Sequence, residues 1–309
     1  MSEPTCNIHT LRTTLLRDRL LQCQQEELLT DSVIVFHGER FSCHFSYLAS
    51  FSKILQTKFK TSSTKVVFPE LEASVSDANL FFQVFQYFYG HPLHLTVQNV
   101  GIVLSLCSSL QLELLSQSIH ETMKTGLDLS KPFQLQLDSN EIVTIMSSNL
   151  QRDVVLTYLD EEEVVISSIC LICCSNTFKH QFCSNFADHS LRKFSYHDEF
   201  VGVTGEEFQS FFGSFTGKSI ILNSDNFVSF YQLAVYFQVE EVKKECIGFL
   251  TRVSDESELI QILSTAAVRH LFNFLLDFSG ILKSWLLQSI SNRFHCLQTS
   301  FCLMLIIVG

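Results

Sequence analysis

The residues with the most obvious capacity for chemistry are a group of thiols and one imidazole between positions 170 and 183. Cys170 and Cys173 have the C-x2-C spacing that zinc sites use, and Cys174, His180 and Cys183 follow closely. Thiolate and imidazole are the ligands that zinc prefers in proteins. A zinc site is therefore one hypothesis, and its merit depends on the element that carries these residues.

Two further groups could carry chemistry. Asp31 and His44 could form an acid–base pair, and the acidic run from Asp160 to Glu163 could hold a cation. The acidic run falls in a predicted turn without a matching ligand elsewhere, which favours a solvated turn. The chain has no glycine-rich phosphate loop, nucleophile elbow or metalloprotease motif. The sequence therefore predicts no enzyme, no catalytic residue and no cofactor.

An internal repeat indicates how these residues are positioned. Matching residues recur at one constant separation: Phe81, Phe85, Phe88, Gly90, Leu95, Leu106 and Glu113 match Phe208, Phe212, Phe215, Gly217, Leu222, Leu233 and Glu240. Within each block the apolar residues have helical spacing, and a glycine turn separates two helical runs. Further upstream, Asp31 and Leu48 match Asp153 and Leu171. The repeat predicts two copies of one domain.

The second copy resembles the BTB/POZ domain family. The residues that carry the resemblance are Phe215, Gly217, Leu222, Asn226, Leu233, Ala234, Val239, Glu240 and Cys246. BTB domains are also similar in opening with an Asp-led hairpin followed by His-x3-Leu-x3-Ser, and the first copy has Asp31, His44, Leu48 and Ser52. The chain thus resembles two divergent BTB domains in tandem. The resemblance implies an α+β fold in which each domain has a small sheet with packed helices.

The repeat and the resemblance both change the interpretation of the chemical groups. Cys170 to Cys174 occupy the positions of Tyr47 to Phe51, where the helix of the first copy faces the core without a cysteine. We therefore predict no metal site. Ser167 replaces His44 in the second copy, which argues against an acid–base pair. The resemblance implies that such positions are structural or line a groove at a dimer interface, and the candidate protein-interaction residues are Asp31, His44, Leu48, Asp153 and Leu171.

Composition narrows the class of partner. The 309 residues are 46% hydrophobic and 17% charged, which predicts a globular protein with ample core. A formal net charge of −11 without a Lys/Arg cluster opposes affinity for nucleic acid or for an anionic membrane. The first residues lack a basic region followed by an apolar core, which predicts no secretory signal and a cytoplasmic location, or a nuclear one. The 11 cysteines are expected to stay reduced there.

The repeat also sets the predicted domain boundaries. We assign residues 1–30 to an N-terminal helical segment, 31–125 to the first BTB-like domain, 131–251 to the second with its preceding segment, and 252–309 to a helical extension. The extension is either complete or the start of a truncated domain. The helix predicted from Ile8 to Leu28 either covers the first domain or serves as a partner helix. The apolar tail from Phe301 to Val308 is too short to span a bilayer, which takes roughly 20 residues.

These features predict a protein–protein interaction scaffold that acts through BTB-mediated homo- or hetero-association. The alternative is a substrate adaptor of a cullin-RING E3 ubiquitin ligase. No kelch repeat, MATH-like sandwich or zinc finger is visible as a substrate-reading domain. The family's cullin-contact signature ends in Glu, whereas Leu55-Gln56-Thr57 ends in Thr.

The sequence allows two arrangements in which the BTB-like copies could pair. They could pair with each other across the linker from Gly126 to Arg152 as an internal pseudo-dimer, because a short tether gives a high effective concentration. They could instead pair between chains as a homodimer. The first helices have diverged from FSYLASFS at 45–52 to SICLICCS at 168–175, as unlike partners do.

Overall fold

The structure is a computed structural model of the full chain. It describes residues 6–8, 13–61, 65–125, 131–148, 150, 152–159, 162–183, 192–197, 199–253 and 256–268. The predicted helix break at Ser279-Gly280 and the apolar tail lie outside the described residues.

The first copy follows a leading strand and helix, β1 (Cys6–Ile8) and α1 (Thr13–Gln25). Its elements in chain order are β2 (Ser32–Phe36), β3 (Glu39–Cys43), α2 (Phe45–Ala49), α3 (Lys53–Thr61), β4 (Lys65–Val67), α4 (Pro69–Glu72), α5 (Ala78–Phe88), β5 (Leu93–Leu95), α6 (Val100–Leu110) and α7 (Glu113–Lys124). Strand β2 lies at the centre of a three-stranded sheet, antiparallel to β3 and parallel to β4.

The second copy has the same plan. A leading strand and helix, β6 (Phe133–Leu135) and α8 (Ser139–Ser148), come first. The following elements are β7 (Val154–Tyr158), β8 (Glu162–Ile166), α9 (Ser168–Cys174), α10 (Asn176–Cys183), β9 (Lys193–Tyr196), α11 (Gly205–Ser214), β10 (Ile220–Leu222), α12 (Phe227–Tyr236), α13 (Glu240–Leu250) and α14 (Glu256–Val268). Strand β7 is antiparallel to β8 and parallel to β9, as in the first sheet.

The repeat extends to individual hydrogen bonds. The hydroxyl of Ser52 donates to the carbonyl of Leu110, and that of Ser175 donates to the carbonyl of Phe237. Two asparagines fix the turn after β5 and after β10 in the same way. Asn99 donates to the carbonyl of His94 at 3.1 Å, and Asn226 donates to that of Ile221 at 2.9 Å. The sequence repeat is therefore a structural repeat, and the predicted α+β class is confirmed.

Each sheet packs on its helix pair through stacked aromatic rings. Phe36 on β2 stacks on Phe81 of α5 with ring centroids 3.8 Å apart, and Tyr158 on β7 stacks on Phe208 of α11 at 4.7 Å. All four side chains are buried. The abundance of Phe in the sequence is thus used to fill two cores of the same design.

The copies exchange their leading strands. Strand β1 precedes the first copy but pairs antiparallel with β10 of the second, with Cys6 opposite Leu222 and Ile8 opposite Ile220. Strand β6 precedes the second copy but pairs antiparallel with β5 of the first, with Leu93 opposite Leu135. Helices α1 and α8 lie against each other between the copies, and α1 also contacts α9. Each copy therefore receives one strand from the other.

Some predicted boundaries are wrong. Residues 6–8 form a strand where the sequence predicted the start of the N-terminal helix, and the described helix spans Thr13–Gln25. Strand β8 starts at Glu162, inside the run predicted as an acidic turn. The segment from Thr64 to Leu71 contains a short helix after its strand, because Pro69 at the first helical position favours a helix start. The capping box of Thr204 and Glu207 is confirmed.

Candidate protein-interaction surfaces

The two predicted aspartates cap the first helix of each copy. Asp31 accepts a hydrogen bond of 2.6 Å from the backbone N–H of Phe45, and Asp153 accepts one of 2.7 Å from that of Ser168. Asp153 also lies 3.5 Å from Arg192. Carboxylates at such positions satisfy a donor that the start of a helix leaves unpaired. Their geometry explains a structural role, and an interaction role stays a prediction.

His44 is held inside the first copy. Its Nε2 lies 2.7 Å from the carbonyl of Leu28, so this nitrogen donates, and its Nδ1 lies 3.0 Å from the hydroxyl of Tyr89. The same hydroxyl oxygen accepts from the backbone N–H of His44 at 2.9 Å. Burial lowers the pKa of His44, which matches a neutral ring with one donor and one acceptor nitrogen. No hydrogen bond joins His44 to Asp31 among the described contacts, so the imagined acid–base pair is not assembled.

The two predicted leucines are core residues. Leu48 on α2 and Leu171 on α9 have no exposed surface. Cys170, Cys173 and Cys174 are buried on the same helix as Leu171. Among the described residues, no group of three or more potential ligands could hold a metal ion. His44, Leu48 and Leu171 are buried inside their copies, whereas Asp31 is exposed and Asp153 is half-buried. The five candidate residues are therefore not brought together on one surface.

The contacts that join the copies involve residues that the sequence did not single out. Arg19 on α1 donates a hydrogen bond of 2.7 Å to the carbonyl of Cys173 and forms an ion pair of 2.9 Å with Glu241 on α13. Lys179 on α10 lies 3.3 Å from Glu26, just after α1. We call this set of contacts between α1 and the second copy the seam. The sequence offers two arginines beside the apolar positions of this helix, Arg17 and Arg19, and does not tell which of them faces the second copy.

Comparison with known protein families identifies the repeated unit. The model of the BTB/POZ domain matches residues 20–127 and again residues 144–254. The chain belongs to the BTB/POZ family. Domains of this family bind proteins and associate with one another, which supports a role in protein–protein interaction. The predicted resemblance, with two tandem copies, is confirmed.

The first BTB copy carries a cavity of about 660 Å³ beside α2 and α3. Its walls include the exposed side chains of Lys53 and Gln56 together with the half-buried Phe45 and Phe51, and the buried Leu150 closes one side. Gln56 belongs to the segment in which the BTB family's cullin signature is expected. The cavity offers both apolar and charged groups to a bound protein.

Other exposed apolar side chains of the BTB copies are scattered. Val67, Val97 and Val165 expose 45%, 60% and 43% of their surface and lie on different elements. Single exposed apolar residues are ordinary on protein surfaces. Among the described residues, no helix is long and apolar enough to cross a membrane.

Proposed function

We propose that this chain is a protein–protein interaction scaffold whose two BTB copies pair with each other inside one chain. The observation that carries the proposal is the reciprocal strand exchange, in which β1 pairs with β10 and β6 pairs with β5. Both leading segments are used within the chain. Exchange of the same strands with another chain would require β1 and β6 to leave their present partners.

The charges at the seam support pairing between unlike copies. Glu141 stands as many residues before Asp153 as Arg19 stands before Asp31, so Glu141 is the counterpart of Arg19. Two second copies paired in the same way would bring Glu141 to Glu241. Two carboxylates at that distance repel each other in a partly buried site. The second copy is therefore a poor partner for itself.

The first copy also loses contacts by pairing with itself. Leu114 follows Glu113 as Glu241 follows Glu240, so Leu114 is the counterpart of Glu241. Two first copies would place Arg19 against Leu114. The guanidinium would then lack its carboxylate, and breaking a partly buried charge pair is unfavourable. Pairing of the first copy with the second instead places Arg19 against Glu241 and keeps Glu141 away from that carboxylate.

The oligomeric state tests internal pairing. Light scattering across the micromolar range should give the mass of one chain, 35.3 kDa, at every concentration. A stable species of twice that mass would place the pairing between chains and contradict the proposal. The variant Arg19→Glu puts like charges against Glu241 and should loosen the seam, whereas Arg19→Glu with Glu241→Arg should restore it.

With the pairing surfaces used internally, partner proteins would bind elsewhere, and the cavity beside α2 and α3 is the favoured place. Affinity purification with Ala49→Arg, which fills the cavity, should lose proteins that the unaltered chain retains. Val97→Arg is the matched control, because Val97 is exposed and does not line the cavity. Equal recovery with both variants would move the binding surface away from the cavity.

The cavity also favours one alternative, an adaptor of a cullin-RING ubiquitin ligase, because Gln56 lines it. Thr57 occupies the place of the signature's Glu, which argues against strong cullin binding. A pull-down with the N-terminal domain of a cullin discriminates the two functions. Stoichiometric recovery with the unaltered chain would favour the adaptor. Recovery only with Thr57→Glu would show that this departure from the family pattern prevents binding.

A further inference from the structure

Two buried thiols from different BTB copies face each other at the seam. Cys23 lies on the last turns of α1, and Cys173 lies on α9 of the second copy. Their sulfur atoms are 4.0 Å apart, and their exposed surface is 2% and 0%. A disulfide has a sulfur–sulfur distance of about 2.05 Å, so closure requires a side-chain movement of roughly 2 Å.

The surroundings make the two thiols chemically unequal. A hydrogen bond from Cys173 lowers the pKa of Cys23 despite the burial of the pair, and the positive charges of Lys179 and Arg19 act in the same direction. The same contact with Cys23, together with burial, raises the pKa of Cys173. The negative charge of Glu26 opposes the effect at Cys23. The positive charges of Lys179 and Arg19 favour the thiolate form of Cys23, so we take Cys23 as the attacking thiol.

We propose that Cys23 and Cys173 form a reversible disulfide in the presence of a hydroperoxide, and that this bond locks the two copies together. The Cys23 thiolate attacks the terminal oxygen of hydrogen peroxide, and the O–O bond breaks. The products are a sulfenic acid on Cys23 and a hydroxide that takes up a proton to become water.

The second step uses the facing thiol. The sulfur of Cys173 attacks the sulfur of the sulfenic acid, and the leaving hydroxide takes up the thiol proton as a second water. Two thiols are oxidised, and one peroxide is reduced to two molecules of water. Once Cys23 is no longer a thiolate, its negative charge no longer opposes ionisation of Cys173. The first step therefore prepares the second.

The neighbouring cysteines have less suitable positions. Cys170 and Cys174 are buried on the same helix, but only Cys173 is in sulfur contact with Cys23 among the described residues. Burial raises the pKa of Cys170 to about 12, which suppresses the reactive thiolate. Cys183 is half-buried and is the competing partner.

Trypsin digestion under non-reducing conditions tests the assignment on the full folded chain. Cleavage after Arg and Lys places Cys23 in the peptide 20–40, Cys173 in the peptide 153–179 and Cys183 in the peptide 180–192. Treatment with hydrogen peroxide should link 20–40 to 153–179 within one chain, and a reducing agent should remove the link. A link to 180–192, a link between chains, or sulfinic acid on Cys23 without any link would each overturn the proposal.

Variants assign the sulfur within the second peptide, which also contains Cys170 and Cys174. The link should be absent in Cys23→Ala and Cys173→Ala and present in Cys170→Ala and Cys174→Ala. Cys107→Ala is a further control, because Cys107 is buried in the first copy away from the seam. Fragment-ion sequencing of the linked peptides from the unaltered chain gives the same assignment without variants. The oxidised chain should melt at a higher temperature than the reduced chain, and a lower temperature would contradict a lock.

Discussion

Arg19 and Glu241 are joined by an ion pair of 2.9 Å although 222 positions separate them in the chain. The arginine lies on the leading helix of the first copy, and the glutamate lies on α13 of the second. Both side chains are largely buried, with exposures of 22% and 16%. Water therefore screens this pair less than it screens an exposed pair, and the pair links the two copies directly.

Loss of this arginine should weaken the seam. Arg19→Met removes the ion pair and the hydrogen bond to Cys173, and we expect the free energy of unfolding to fall by about 1–3 kcal/mol. Denaturant titration measures it. Lys193→Met is the control, since Lys193 and Glu163 form an exposed pair and should contribute under about 1 kcal/mol. A double-mutant cycle with Glu241→Gln measures the coupling energy between Arg19 and Glu241. Additive effects of the two substitutions would show that the ion pair does not contribute to stability.

Truncation of Phe212 should destabilise the second copy. This ring has no exposed surface and contacts the rings of Phe208 and Phe237 at centroid distances of 4.9 Å and 5.0 Å. Phe212→Ala leaves a cavity, and the expected loss is about 3–5 kcal/mol. Val201→Ala on the surface should cost under about 0.5 kcal/mol. A loss below about 1 kcal/mol for Phe212→Ala would mean that the surrounding rings collapse into the space.

Two glycines of the first copy should respond to alanine with opposite signs. Gly90 has a φ of +94°, and an added Cβ would lie 2.3 Å from Cγ of Arg17. Gly90→Ala should therefore destabilise by about 1–2 kcal/mol. Gly101 lies inside α6 with open space around its Cβ position, so Gly101→Ala should stabilise by about 0.5–1 kcal/mol. Thermal unfolding of both variants provides the comparison, and equal signs would contradict the backbone argument.

The buried histidine should make stability depend on pH. Burial lowers the pKa of His44 in the folded state, so the unfolded state binds more protons below its ordinary pKa of about 6.5. Stability attributed to neutral His44 is complete above that value and is lost as the pH falls towards the folded pKa. The slope is at most about 1.4 kcal/mol per pH unit.

Denaturant titrations at several pH values measure this slope. In His44→Gln the slope between pH values of about 6.5 and 5.5 should become shallower, whatever the change in absolute stability. Val201→Ala, an exposed substitution that removes no titratable group, is the control and should leave the slope unchanged. An unchanged slope in His44→Gln would mean that His44 is not the titrating group.

Local signals in the sequence predicted local structure well. Thr204 and Glu207 predicted a helix start because the capping box needs only residues three positions apart. The paired Phe81 and Phe208 predicted the two cores, because helical spacing determines which residues share a face. The repeat then supplied the second copy from the first.

Contacts between distant segments were not predictable in the same way. Strand β1 has only three residues, which is too short for a recognisable alternation of apolar and polar residues. Its partner β10 begins at Ile220, so no pairing signal lies near Cys6 in the sequence. The roles of the candidate site residues were also not predictable from the sequence. Asp31 and Asp153 were recognised by position, but their capping role depends on backbone N–H groups that only the folded chain brings within reach.

The strand exchange has a consequence for the connection between the copies. Since each half holds a strand of the other, the peptide that joins them is not what keeps them together once the chain has folded. A protease cut between α7 and β6 should yield two fragments that elute as one species, and the halves should reconstitute when they are produced as separate polypeptides. Neither fragment alone is complete, because the first lacks β6 beside β5, and the second lacks β1 beside β10 and α1 beside α9.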